Sequence, residues 1–179
     1  MAYFVFTTAC TKGKPQRISF YLVLFVSFGV SYKLDFLIFK LMTDILFVYG
    51  TLLQLGNEFA DYLDQQCTYI TSGKMKGILY DVGEYPGLVI SDDAEHHVYG
   101  GVFKLRHPEQ NLKVIDDYEG VGTEQEQPNL YIRVIKPIET TGDIINAWVY
   151  LYNLPITDLP QITSGNYPEY IKQKKSPGN

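Results

Sequence analysis

From Ile45 onward the apolar residues fall in short runs: Ile45–Val48, Leu88–Ser91, Val98–Leu105, Leu130–Ile135 and Ile144–Tyr152, separated by stretches holding Gly, Pro, Asn or Asp. Runs of this length suit strands, and the residues between them supply turns. The 15 tyrosines against a single tryptophan point the same way, because a phenol ring packs on a half-buried sheet while its hydroxyl stays wet. A chain of 179 residues that is 46% hydrophobic holds one domain with a full core and is short for two. The expectation is a strand-rich α+β domain.

Two segments carry the helical period instead. Asn57 can cap a helix over Glu58–Gln66 whose Phe59 and Leu63 share a face. Pro108 suits the first turn of a second helix, Glu109–Tyr118, with Leu112 and Ile115 inward and Gly120 as its stop. Glu119 then lies at a helix C-terminus. Between the helices, strands around Lys76–Asp81, Leu88–Ser91 and Val98–Leu105 have the spacing of a β-meander. The stretch from Pro155 is rich in Pro, Gly and polar residues, and residues 171–179 read as a flexible tail.

The first 41 residues differ from the rest. Ile18–Tyr32 is almost continuously apolar and follows Lys12, Lys14 and Arg17, the order of a signal or anchor segment. As a membrane span it is short of the roughly 20 residues a bilayer requires, and extending it brings in Lys33 and Asp35. As a cleaved signal it lacks a small-residue site and an extracellular disulfide pattern downstream. The expectation is therefore that residues 1–41 are an extension ahead of a native start at Met42, the domain is 42–170, and the protein is cytoplasmic. Membrane attachment follows only if residues 18–41 form a genuine anchor.

A formal net charge of -5 opposes binding to nucleic acid, which requires a positive field. Cys10 and Cys67 form no CxxC pair or disulfide framework. The sequence has no GxSxG, GxGxxG, Walker-type or HExxH motif. His96, His97 and His107 read as exposed loop residues rather than metal ligands.

Two short segments could carry chemistry. In Tyr49-Gly50-Thr51-Leu52 a glycine after a buried strand lets successive N–H groups face a ligand oxygen, although the same residues also suit a plain strand-to-helix turn. In Asp116-Asp117-Tyr118-Glu119-Gly120 the plain reading is a solvated, glycine-capped helix end. Against it, three carboxylates at a helix C-terminus oppose the dipole and one another. If Glu119 faces a dry pocket, these effects together with desolvation raise its pKa toward neutrality, where a carboxylate exchanges protons well.

The chain resembles the gamma-glutamylcyclotransferase superfamily, and its gamma-glutamylamine cyclotransferase branch in particular. The likeness is carried in order by FVYGTL (Phe47–Leu52), GILYDVGEYPGLV (Gly77–Val89), VYGGVFKL (Val98–Leu105), IDDYEG (Ile115–Gly120), YIRVIKPI (Tyr131–Ile138), AWVYLYN (Ala147–Asn153) and ITSGNYPEY (Ile162–Tyr170). The resemblance implies a mixed α+β fold with a small barrel-like sheet and a few flanking helices. It also implies an enzyme that cyclises a γ-glutamyl group to 5-oxoproline, releasing an amine or amino acid, without a metal or organic cofactor. It places the general acid/base on Glu119 and the substrate cradle on Tyr49, Gly50, Thr51 and Leu52. Tyr80, Tyr85 and Tyr118 are candidate pocket walls, each open to an ordinary core role. The chain departs from the family pattern at Asn166 and Tyr167, where an acidic residue and a tryptophan are common. The implied partner is a small γ-glutamyl substrate. Two alternatives stay open: a specialised γ-glutamyl transfer or deprotection enzyme of the same fold, and a non-catalytic small-molecule-binding module. The leaving amine and the oligomeric state are not legible.

Overall fold

A computed structural model of the chain describes residues 43–53, 58–91 and 95–175. The apolar segment Ile18–Tyr32 and the expected helix cap Asn57 lie outside them. Strand β1 (Ile45–Val48) matches its apolar run, and β7 (Ile144–Tyr152) does the same. Strands β2 (Cys67–Lys76), β5 (His97–Leu105) and β6 (Tyr131–Thr140) join them in a closed barrel of order β1-β5-β2-β6-β7. Closure is made by a parallel contact of β1 with β7 at Leu46 and Trp148. On its other side β1 runs antiparallel to β5, with Phe47 opposite Val102. The fold is thus mixed α+β, a five-stranded closed barrel with three α-helices among the described residues.

The β-meander expectation fails. Strand β5 inserts between β1 and β2, while β3 (Ile78–Asp81) and β4 (Pro86–Val89) form a separate two-stranded hairpin. The long strand β2 was not legible because its outer residues Thr68, Tyr69, Ile70 and Ser72 are exposed. A bulge between Tyr69 and Thr71 also shifts which residues face inward, erasing the alternation that reveals a strand. The run read as one strand, Lys76–Asp81, is broken at Gly77, whose N–H donates to the His96 carbonyl at 3.2 Å.

Because β1, β5 and β7 are covered on both faces, their sequences read as nearly continuous apolar runs. One face packs Phe47, Tyr49, Val102, Val149 and Leu151 with Leu79 and Leu88 of the hairpin and with Tyr167. The other packs Leu46, Val48, Phe103, Trp148 and Tyr150 against Leu63 of helix α1 (Glu58–Gln66) and Leu112 and Ile115 of helix α2 (Pro108–Glu119). Burying each such aliphatic side chain contributes roughly 1.5–3 kcal/mol, enough to seat α2 on the barrel wall.

Helix α3 (Tyr167–Lys175) occupies the stretch read as a polar tail, so Ile171–Lys175 is helical. Its start is encoded after all: the Asn166 side chain accepts the Glu169 N–H at 3.2 Å, and Lys172, Lys174 and Lys175 fill the last turn. The buried Tyr167 donates its hydroxyl to the Glu84 carbonyl at 3.1 Å. Asn166 and Tyr167, the family departure, thus serve helix capping and core packing. Among the described residues no helix is long and apolar enough to cross a membrane.

Candidate active site

A cavity of about 240 Å³ opens where the end of β1 meets the end of α2. Its wall takes Tyr49, Gly50 and Thr51 from the chain leaving β1, Tyr85 and Pro86 from the β3–β4 hairpin, Tyr118 and Glu119 from α2, and Tyr131 and Tyr150 from β6 and β7. Two sequence segments read separately, YGT and YEG, therefore come together at one cavity. Leu52 follows in a 3-10 turn, Thr51–Leu53, closed by the Leu53 N–H to the Gly50 carbonyl at 3.1 Å. Tyr80 stands on β3 opposite Gly87 and is absent from the lining.

Gly50 is required by close approach. A Cβ built there would stand 2.9 Å from Pro86 Cγ, nearer than real Cβ atoms come, so the turn can pack on the hairpin only without a side chain. The carbonyl of Pro86 in turn accepts the Tyr131 hydroxyl at 2.8 Å. Tyr118, half exposed, stacks on Phe59 of α1 with ring centroids 3.7 Å apart and forms the outer lip.

The end of α2 sets the position of Glu119. Gly120 has φ of 67°, the left-handed conformation that glycine adopts without penalty, and the Val121 N–H returns to the Asp116 carbonyl at 2.8 Å. The helix thus stops with Glu119 as its last residue, turned to the cavity. Burial pushes its carboxyl from an ordinary 4.5 up to about 7. Desolvation is the cause; Asp116, one turn earlier, is itself paired. Its Oδ1 accepts the Tyr150 hydroxyl at 2.8 Å, and its Oδ2 lies 3.4 Å from Arg133 Nη2.

Around Glu119 stand three phenols whose protons go elsewhere. Tyr49 donates to the Tyr150 carbonyl at 2.6 Å, Tyr131 to Pro86 and Tyr150 to Asp116. Burial first, with the Glu119 charge adding to it, pushes all three hydroxyls far above their usual range. They stay neutral across any working pH. Among the described residues of the lining Glu119 is the acidic one, and carboxyls raised by desolvation in a cleft cluster at functional sites.

The family model for gamma-glutamyl cyclotransferase, AIG2-like proteins matches residues 46–169. The chain belongs to this family. A gamma-L-glutamyl-butirosin B gamma-glutamyl cyclotransferase from Niallia circulans is 30% identical over 109 residues, 60% of this chain and 66% of that enzyme. The chain therefore spans slightly under two thirds of that relative's length. Among solved structures, YkqA from Bacillus subtilis superposes with a TM-score of 0.57 at 28% identity, covering 76% of this chain and 44% of YkqA. An AIG2-like protein from Mus musculus shares the fold, with a TM-score of 0.51 and 23% identity over 65% of this chain and 84% of its own.

Sequence reasoning missed Pro86, Leu130, Tyr131 and Tyr150 as lining residues. Both tyrosines sit in strand runs legible in the sequence, but nothing local says which strand end meets α2. The histidines differ from expectation: His96 and His97 are half-buried, with His97 opening β5, and only His107 is exposed, at the N-terminus of α2.

Proposed function

We propose that residues 42–170 form a γ-glutamyl cyclotransferase that converts a γ-glutamyl group to 5-oxoproline, with Glu119 as general acid/base. The observation that carries this reading is the Glu119 carboxyl, buried at the cavity wall and raised to about 7. The α-amine of the substrate attacks its own γ-carbonyl carbon. The ring C–N bond forms, the bond to the leaving amine breaks, and Glu119 carries the proton lost by the attacking nitrogen to the departing one. Ring closure is intramolecular, so holding the glutamyl chain bent supplies much of the rate. The turn after β1, with Tyr49, Gly50 and Thr51 at the wall, is suited to hold a substrate oxygen, and Leu52 completes the backbone of that turn.

The cavity is smaller than the roughly 300–1,000 Å³ of pockets for drug-sized ligands. It fits a glutamyl group with the leaving amine toward the mouth, beside Tyr118. The test is a panel of γ-glutamyl amines and γ-glutamyl dipeptides assayed for 5-oxoproline by mass spectrometry. At least one member should be cyclised, and its N-acetylated form, lacking a nucleophilic amine, should yield no cyclic product. Cyclisation of the acetylated form at a similar rate would contradict the mechanism. The name of the Niallia circulans relative favours a second reading, in which the same reaction removes a γ-glutamyl group from a specialised biosynthetic amine. A strong preference within the panel for one large leaving amine would support it.

A further inference from the structure

Asp116 lies three residues before Glu119 on α2, and its two carboxylate oxygens are engaged separately. Oδ1 accepts the hydroxyl of Tyr150, a cavity-lining residue, at 2.8 Å. Oδ2 faces Arg133 Nη2 at 3.4 Å, with both side chains about four-fifths buried. The Arg133 guanidinium lies 4.7 Å above the centre of the Trp148 ring, and its Nη1 is buried with no partner among the described residues. One acidic side chain thus links the last turn of α2 to β6 and β7. It also accepts the hydrogen bond of the phenol whose hydroxyl feels the Glu119 charge.

We propose that Asp116 is a positioning residue for the reaction: by holding the Tyr150 hydroxyl and Arg133, it fixes the end of α2 and leaves the Glu119 carboxylate without a donor, ready to take a proton from substrate. This rests on Glu119 being the acid/base. The physical logic is competition for one proton. A hydroxyl aimed at an ionised carboxylate stabilises the charged form and makes it a weaker base. Tyr150 stands at the right cavity to do this, and Asp116 diverts it. Of the other groups at this cavity, Tyr49 of β1 and Tyr131 of β6 are committed to carbonyls, Tyr85 of the hairpin packs 6.3 Å from the Tyr131 ring, Tyr118 stacks on Phe59, and Thr51 lines the wall from the turn after β1. On its own helix, Asp117 is exposed.

The test follows the Glu119 carboxyl by ¹³C NMR titration, its signal assigned by its loss in Glu119→Gln, alongside the pH dependence of turnover. Wild type should titrate near its raised value of about 7. In Asp116→Ala the freed Tyr150 hydroxyl turns to Glu119, and the titration should move down by about one pH unit or more. The acid limb of the rate profile should move down with the titration, and the plateau turnover above it should fall by about threefold, because a weaker base takes the proton less readily. In Asp116→Ala/Tyr150→Phe the freed hydroxyl is gone, and the titration should return to the wild-type position. An unmoved titration in Asp116→Ala overturns the proposal, and so does a double variant that stays low. Tyr150→Phe alone keeps the Asp116–Arg133 pair and serves where Asp116→Ala fails to fold. Its Glu119 titration should match wild type, and a rise would show that Tyr150 already donates to Glu119, overturning the proposal. If turnover proves independent of Glu119 while these titrations behave as stated, the acid/base reading falls and the structural role of Asp116 stands.

Discussion

Glu119 is unfavourable where it stands, and the cost has a pH signature. Its folded-state pKa is raised, so the protonated carboxyl is preferred in the fold; the associated stability is fully present below the unfolded value of 4.5 and is lost as pH rises through about 7. At ~1.4 kcal/mol per pH unit, ionising it in the folded protein costs on the order of 3 kcal/mol above neutrality. Glu119→Gln should therefore melt higher than wild type at pH 8 and converge with it below pH ~4.5, read by thermal melts across that range. Equal melting at all pH values would show that the carboxyl is not desolvated. Gly50 offers a separate test, because a valine there would drive its side chain into Pro86. Gly50→Val should lower turnover by at least ~10²-fold, with circular dichroism unchanged. The sequence marked both residues through their motifs. The reason for the glycine, contact with a hairpin 36 positions downstream, is long-range and was not legible locally.

Elements whose signals are local were readable: β1, β7 and α1 match their predicted bounds, and α2 extends its prediction by one residue at each end. Strand β2 was hidden by its bulge and exposed face, and α3 by a polar composition that masked the Asn166, Pro168 and Glu169 start signal. Helix α3 matters to the site through the hairpin. Burial by itself would raise the Asp81 carboxyl, but hydrogen bonds from Lys174 and Tyr170, both at 2.6 Å, and from the Gly83 N–H at 2.9 Å hold it below the usual range. A lowered folded-state pKa contributes stability that is present above the unfolded pKa and lost as pH falls through the folded one. Asp81→Asn should lower Tm by several degrees at pH 7, and the difference from wild type should shrink as pH falls below the carboxylate range. Because the same hairpin carries Tyr85 and Pro86 to the cavity, KM should rise in this variant while the Glu119 titration stays in place.

At the scale of the whole molecule, the composition indicated a strand-rich domain, but barrel closure was expected only through family resemblance. Strand order depends on pairings between distant residues, such as Leu46 with Trp148, that leave no mark on either segment alone. The position of β1 bears on the first 41 residues. Its strand bonds are taken by β5 and β7, and the Asp44 carbonyl accepts the Leu105 N–H at 2.7 Å. A chain beginning at Met42 should therefore fold, with a cooperative melt and full activity, as checked by calorimetry and the cyclisation assay. Loss of either would show that residues before Met42 belong to the domain.

The central claim, that one buried carboxylate moves the proton in an intramolecular cyclisation, is tested most directly by the 5-oxoproline released per enzyme by Glu119→Gln. With the best γ-glutamyl substrate at saturation, turnover should fall by roughly 10²-fold to 10⁴-fold, while substrate binding, measured by calorimetry, is retained. Wild-type turnover in that variant would contradict the account.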